Sequence, residues 1–175
     1  AGIGTTVAVA YDTRRCSKEF AEVFSRVIMA GGINVLLSQD VVPTPVLSYT
    51  VLERKCFAGV MITASHNPPE YNGIKFKASY GGPFSQNQTR KVEQFLYAHE
   101  PSIYKGALPL YDMLPAYKAH IEPLIRWDMI KEASLPLLVD SMGGAGGGLI
   151  QSILAEHGCF SVKTIFGEYS NSFCG

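Results

Sequence analysis

The sequence predicts a three-layer α/β fold, with helices on both faces of a mostly parallel sheet, followed by the start of a second, similar α/β domain. Three observations carry this expectation. Short β-branched or apolar runs alternate with amphipathic stretches along the first part of the chain. The run at 59–63 (GVMIT) is almost continuously apolar, as a strand covered on both faces should be. A strand, a glycine-rich turn, a helix and a further strand then follow from about residue 135. The expected division is residues 1–125 for the first domain and 126–175 for the beginning of the second, which the chain does not complete.

The elements follow in order. Residues 6–11 (TVAVAY) read as a strand broken by Asp12-Thr13-Arg14-Arg15. Ser17 is a suitable N-cap, Glu19 faces the positive end of the following helix, and Phe20, Phe24, Val27 and Ile28 recur at helical spacing. Gly31-Gly32 ends that helix, and 33–37 (INVLL) form a second strand. After Pro43-Thr44-Pro45 the spacing predicts a helix over 46–55, and 59–63 make the third strand. The chain re-enters a strand around Ile74 to Lys77, with Asn72-Gly73 supplying a tight turn before it. A helix is expected over 87–98, an irregular connection over 100–114, and a helix over 116–133 that Pro123 kinks or divides. A buried strand at 135–140, a helix at 149–157 and a strand at 161–166 complete the reading.

Hydrophobic residues form 47% of the 175, enough for a packed core, and 15 basic residues balance 15 acidic ones. Zero net charge argues against a nucleic-acid partner bound by bulk charge. No apolar run approaches the ~20 residues that cross a bilayer, and the N-terminus does not read as a secretory signal. Cys16, Cys56, Cys159 and Cys174 fall at none of the short spacings of zinc or redox sites, so a reducing compartment and a cytoplasmic location are expected. His99, His120 and His157 have no metal spacing and are expected on helix surfaces or ends.

Parallel strands put ligand-binding loops at their carboxyl ends. Two loops become candidates: 12–15 after the first strand and 64–69 (ASHNPP) after the third. In the second, Ser65 leaves a buried strand into a Pro-Pro turn. Lys75 and Lys77 then share one face of the returning strand, with Phe76 on the other. A cationic loop at a strand end suits a phosphate dianion, and a desolvated lysine can accept a proton. On the residues alone, a Ser-His pair in a loop is more often structural than catalytic.

The run TASHNPPEYNGIKFK (63–77) resembles the active-serine loop of the α-D-phosphohexomutases, the phosphoglucomutase/phosphomannomutase superfamily. VAYDTR (9–14) resembles that family's first-strand Asp-x-Arg loop, and LVDSMGGAGG (138–147) the strand and turn that open its second domain. The resemblance implies the first domain of such an enzyme. Ser65 would be the phosphorylated serine and would hand its phosphoryl group to a hexose 1-phosphate. A bound 1,6-bisphosphate would form, turn over and return the other phosphoryl group. Lys75 would be the general acid/base, His66 and Asn67 would orient the phosphoserine, and Arg14 would lie near the phosphate. Mg²⁺ would bind through the Ser65 phosphate, with glucose 1,6-bisphosphate as activator.

The family pattern also has four domains, of which the resemblance covers the first and the start of the second, and its aspartate-rich magnesium loop, sugar-binding loop and final phosphate-binding loop are not found here. The remaining metal ligands and the missing domains of the same polypeptide would be needed, and the chain by itself is expected not to turn over substrate. Pro68-Pro69-Glu70-Tyr71 looks more like the glucose/mannose branch than the glucosamine branch. For Lys77 and Arg15 no counterpart is found, and Glu70 and Tyr71 are read as turn residues. The turn after Asp140 lacks the third small residue of a dinucleotide fingerprint and any Gly-Lys-Ser/Thr, so a structural turn is expected.

Two rivals stand beside this reading. One is a sugar-phosphate-binding or interaction domain without catalysis. The other is a serine hydrolase, disfavoured because there is no Gly-x-Ser-x-Gly elbow and because adjacent residues on an extended chain point apart, which places His66 poorly as a base.

Overall fold

A computed structural model describes residues 5–98 and 100–173. His99 and Cys174 therefore lie outside the described residues. The first strand, β1 (Thr6–Tyr11), is central, because five of its six residues are buried and both faces are covered. Helix α1 (Ser17–Ala30) returns the chain to β2 (Asn34–Ser38), and α2 (Thr44–Glu53) crosses back to β3 (Ala58–Ile62). Both β2 and β3 pair with β1 in parallel. The chain then turns into β4 (Ile74–Ala78), antiparallel to β3 with Ile62 opposite Ile74 and Met61 opposite Lys75. After α3 (Gln86–Glu93), β5 (Leu110–Tyr111) adds in parallel beside β2, giving the order β4-β3-β1-β2-β5.

Alternation along the strands separates two cores. Val7, Val9, Tyr11, Val60 and Ile62 face α1, joined by Phe24, Ile28 and Phe76. Ala8, Ala10 and Met61 face α2, where Val46, Leu47 and Val51 are fully buried. The small residues on that face let α2 lie close to the sheet. A Cβ at Gly59 would fall 2.5 Å from Val51 Cγ2, so the glycine is required by packing. The result is the expected three-layer α/β/α arrangement.

Beyond β5 come α4 (Leu114–Ile121), a 3₁₀ turn at Glu122–Leu124, and α5 (Trp127–Ala133), so Pro123 divides the expected helix. A separate two-stranded parallel sheet follows: β6 (Leu137–Asp140), α6 (Leu149–Glu156) and β7 (Val162–Ile165).

Several expectations are corrected. Ser17 is the first residue of α1 and not its N-cap; Cys16 holds that place in a left-handed conformation, without a side-chain cap. The region 100–114 contains β5, whose two residues are too few to show a period. Helix α3 ends at Glu93, short of residue 98. Asn72-Gly73 is not a tight hairpin turn: the whole stretch 63–73 is a loop, closed by the Thr63 N–H on the Gly73 carbonyl at 2.9 Å. The sixth strand is not buried, with Leu137 and Leu138 42% and 66% exposed, because one partner strand and one helix cannot cover it.

Candidate functional site

The chain leaves β1 toward β2 on one side and returns through α2 to β3 on the other, so the strand order reverses between β1 and β3. Open α/β sheets bind ligands in the crevice outside the carboxyl ends of such strands. The loops 12–15 and 63–73 meet there. The Asp12 N–H donates to the Ile62 carbonyl at 3.2 Å, which joins the two strand ends.

The first loop is an Asx turn. The Arg14 N–H donates to Asp12 Oδ1 at 3.0 Å, and the Ser17 hydroxyl donates to the same oxygen at 2.8 Å. The turn sends the Arg14 side chain under the second loop. Its Nη1 donates to the Pro68 and Tyr71 carbonyls at 2.8 Å, and its Nη2 to those of Ser65 at 2.8 Å and Asn67 at 2.7 Å. Nε lies 3.4 Å from Asp12 Oδ2, and the side chain is 1% exposed. The sequence-based expectation put Arg14 beside a phosphate. Its four terminal hydrogen bonds go to loop carbonyls, which reach it from residues far along the chain.

Ser65 stands on the solvent side of that loop. Its φ of 61° is left-handed, and its N–H is tied to Thr63 Oγ1 at 3.0 Å. Ser65, His66 and Asn67 are all exposed. The Ser65 hydroxyl lies 3.4 Å from His66 Nδ1. The pair therefore does not point apart, because the left-handed Ser65 folds its neighbour back. No carboxylate is paired with the His66 imidazole among the described residues, so nothing of that kind fixes its tautomer. Tyr71 N–H bonds the Pro68 carbonyl at 3.1 Å, which makes Glu70 and Tyr71 turn residues.

An open cavity of about 360 Å³ is lined by Ser65, His66, Asn67 and Lys75, with Asn72 and Ile74. Lys75 is exposed and reaches this cavity from the start of β4. Lys77 lies farther along the same face, and its ammonium is held below the usual lysine range by partial burial first and by the charge of Lys75 second. Arg15 is exposed.

Asn72 is a link that the sequence reading missed. Its Nδ2 donates to the Arg15 carbonyl at 3.1 Å and to Ser17 Oγ at 2.9 Å, while its Oδ1 accepts from the Gly73 N–H at 2.8 Å. It ties the serine loop to the start of α1. The only signal was an Asn before a strand, which local reading assigns to a turn.

The cavity has no carboxylate on its wall, and among the described residues no three His, Cys, Asp or Glu side chains come together. Magnesium takes about six oxygen ligands, several from carboxylates, phosphates or water. One serine or phosphoserine oxygen does not make that set, so the residues present do not fit a complete magnesium site. The turn after Asp140 closes on itself, with the Met142 N–H on Asp140 Oδ1 at 2.9 Å and the Ser141 hydroxyl on the Gly147 carbonyl. No described helix is long and apolar enough to cross a membrane.

Residues 2–102 match the family described as phosphoglucomutase/phosphomannomutase, alpha/beta/alpha domain I. The chain is 34% identical over 177 aligned residues to a Methanosphaera stadtmanae protein assigned as a phosphoglucosamine mutase, covering 99% of this chain and 39% of that one. It is 30% identical to a Staphylococcus epidermidis phosphoglucomutase, covering 86% of this chain and 29% of that one. A crystal structure of a Thermus thermophilus protein assigned as a phosphomannomutase superposes with a TM-score of 0.90 at 36% identity, over 97% of this chain and 39% of that one. The chain thus spans about two fifths or less of the length of these relatives.

Proposed function

Because this chain belongs to the phosphoglucomutase/phosphomannomutase family, we propose that it carries the phosphoryl-accepting serine of an enzyme that moves phosphate between positions of a hexose. The observation that carries the reading is the exposed Ser65 hydroxyl on the loop after β3, in one cavity with Lys75.

Phosphorylated Ser65 donates to the 6-hydroxyl of a hexose 1-phosphate. The P–Oγ bond breaks as the new P–O6 bond forms, and the 6-hydroxyl proton is relayed by Lys75, whose ammonium gives a proton to the departing Ser65 Oγ. The 1,6-bisphosphate turns over in the site. The P–O1 bond then breaks as the 1-phosphoryl group returns to Ser65 Oγ, and the serine proton is relayed by Lys75 to O1, leaving hexose 6-phosphate. Asn67 and His66 orient the phosphoserine. Glucose 1,6-bisphosphate acts as activator by restoring a lost phosphoryl group. No step is routed through magnesium, whose remaining ligands would have to come from outside these residues. We assign residues 1–125 to the domain bearing the serine and 126–175 to the beginning of the next, and we expect turnover only with the further domains of the family present. The turn at Pro68-Pro69-Glu70-Tyr71 favours glucose or mannose over glucosamine, although relatives assigned to glucosamine are also similar. A cytoplasmic location fits this metabolic role.

The 3.4 Å contact of Ser65 with His66 gives the hydrolase reading one observation in its favour. Labelled phosphate from glucose 1,6-bisphosphate, against labelling by an acylating inhibitor, separates the two. Phosphate on Ser65 supports the mutase, and acylation without phosphorylation overturns it. A binding domain without chemistry would take up neither label, even with the missing domains supplied.

A further inference from the structure

We propose that Arg14 is a positioning residue for Ser65: it gathers the carbonyls of the serine loop beneath the hydroxyl and does not touch the phosphate itself. The inference rests on the proposed role of Ser65 as phosphoryl acceptor. It begins from the fork of four hydrogen bonds. The carbonyls of Ser65, Asn67, Pro68 and Tyr71 converge on Nη1 and Nη2 at 2.7–2.8 Å. A planar guanidinium offers its donors in a fixed fork, which a lysine ammonium with three rotating hydrogens cannot reproduce. The remaining Nε faces Asp12, and the Phe173 ring covers the guanidinium with its centroid 4.7 Å from Cζ. Both terminal nitrogens are occupied by the loop carbonyls, and Nε, which makes no hydrogen bond, is buried with the rest of a side chain only 1% exposed, so no Arg14 donor faces the cavity.

The consequence for the site follows from peptide geometry. No peptide bond here is cis, so each carbonyl and the N–H of the next residue point in opposite directions. Aiming the Ser65 carbonyl at Arg14 turns the His66 N–H away from the guanidinium. It also helps hold Ser65 at a φ of 61°, a left-handed conformation that is disfavoured for a serine. The next two residues after Asn67 are prolines and have no N–H to turn. The loop therefore presents one hydroxyl and one outward backbone donor side by side. That pair suits a phosphoryl group carried on Ser65.

The test uses the ¹⁵N-labelled chain as wild type, Arg14→Lys and Arg14→Gln. It also uses the same proteins with phosphoserine encoded at position 65. Unchanged signals from β1 and β3 amides show that each variant folds. The expected result has two parts. Amide order parameters over 65–72 fall from about 0.85 to below about 0.6 in both variants. The second pKa of the encoded phosphoserine, read by ³¹P NMR, lies below the ordinary value of about 6 in wild type and moves back toward it in Arg14→Lys, which keeps the charge but loses the fork. An ordered loop in Arg14→Lys with an unmoved phosphate pKa would overturn the proposal. A loosened loop over an unmoved pKa would overturn it too, since Arg14 would then serve the fold alone. A moved pKa over an ordered loop would do the same, since Arg14 would then act directly on the phosphate. The phosphate is installed synthetically, so these outcomes are separate from failure of the mutase reading, which is decided by whether native Ser65 acquires phosphate.

Discussion

At the scale of the residue, the site contrasts two kinds of cation. Arg14 is buried with both terminal nitrogens engaged, whereas Lys75 is exposed on the cavity wall and Lys77 lies between, partly buried. Lys77 has a pKa below the ordinary 10.5, through burial first and Lys75 second. The folded chain holds this proton less tightly than the unfolded one. Unfolding then takes up a proton between the lowered value and 10.5, and this group's contribution to stability improves as pH rises through that interval. In an NMR titration of the lysine side chains, Lys77 should titrate below 10.5, and Lys75→Met should raise it partway, leaving the part due to burial. A Lys77 midpoint at or above 10.5 would contradict the account. Ser65, His66, Asn67 and Lys75 could be picked from the sequence because the run 63–77 resembles the family's active-serine loop; on the residues alone, a Ser-His pair after a strand reads as structural. The role of Arg14 could not, because its partners are carbonyls 51 to 57 residues away and carbonyls carry no side-chain signature.

At the scale of the element, stability follows what each helix covers. Helices α1 and α2 seal the two faces of the large sheet, whereas α3 buries no residue. Helix α3 rests on its own ends: Ser85 accepts from the Gln88 N–H, and the Gln88 side chain accepts from the Ser85 N–H, a complete capping box. Ser85→Ala should cost that helix about 1 kcal/mol locally. Hydrogen exchange in the first turn of α3 should speed up severalfold while the melting temperature of the sheet stays put. A matching drop in global stability would show that α3 is part of the cooperative core. The strands β1, β2 and β3 were legible because parallel, doubly covered strands read as apolar runs. The strand β5 was not, since two residues carry no pattern and only the edge of β2 defines it.

At the scale of the whole molecule, the buried apolar residues come from positions 7–113, with Leu154 as the one addition from the later elements among the described residues. The unit of β6, α6 and β7 meets the preceding helices through partly exposed pairs and rings. Lys118 lies 2.6 Å from Glu156, His157 lies 3.0 Å from Glu122, and the His157 ring stacks on Trp127 at 3.7 Å between centroids. Such surface pairs contribute about 0–1 kcal/mol each. Amides of β6 and β7 should therefore exchange roughly tenfold or more faster than those of β1 and β3, and equal protection would mean that the chain opens as one unit. The succession of β6, α6 and β7 was legible, because a strand followed by a glycine turn and a helix is a local pattern. The exposure of β6 was not legible, since an apolar strand looks the same whether or not its neighbours are present. The account as a whole depends on phosphate reaching one hydroxyl. The most direct measurement is mass spectrometry of the tryptic peptide 56–75, taken from the native protein and from the chain incubated with glucose 1,6-bisphosphate. A phosphate-sized increment on Ser65, absent in Ser65→Ala, is the predicted result; an unmodified Ser65 in both samples would contradict it.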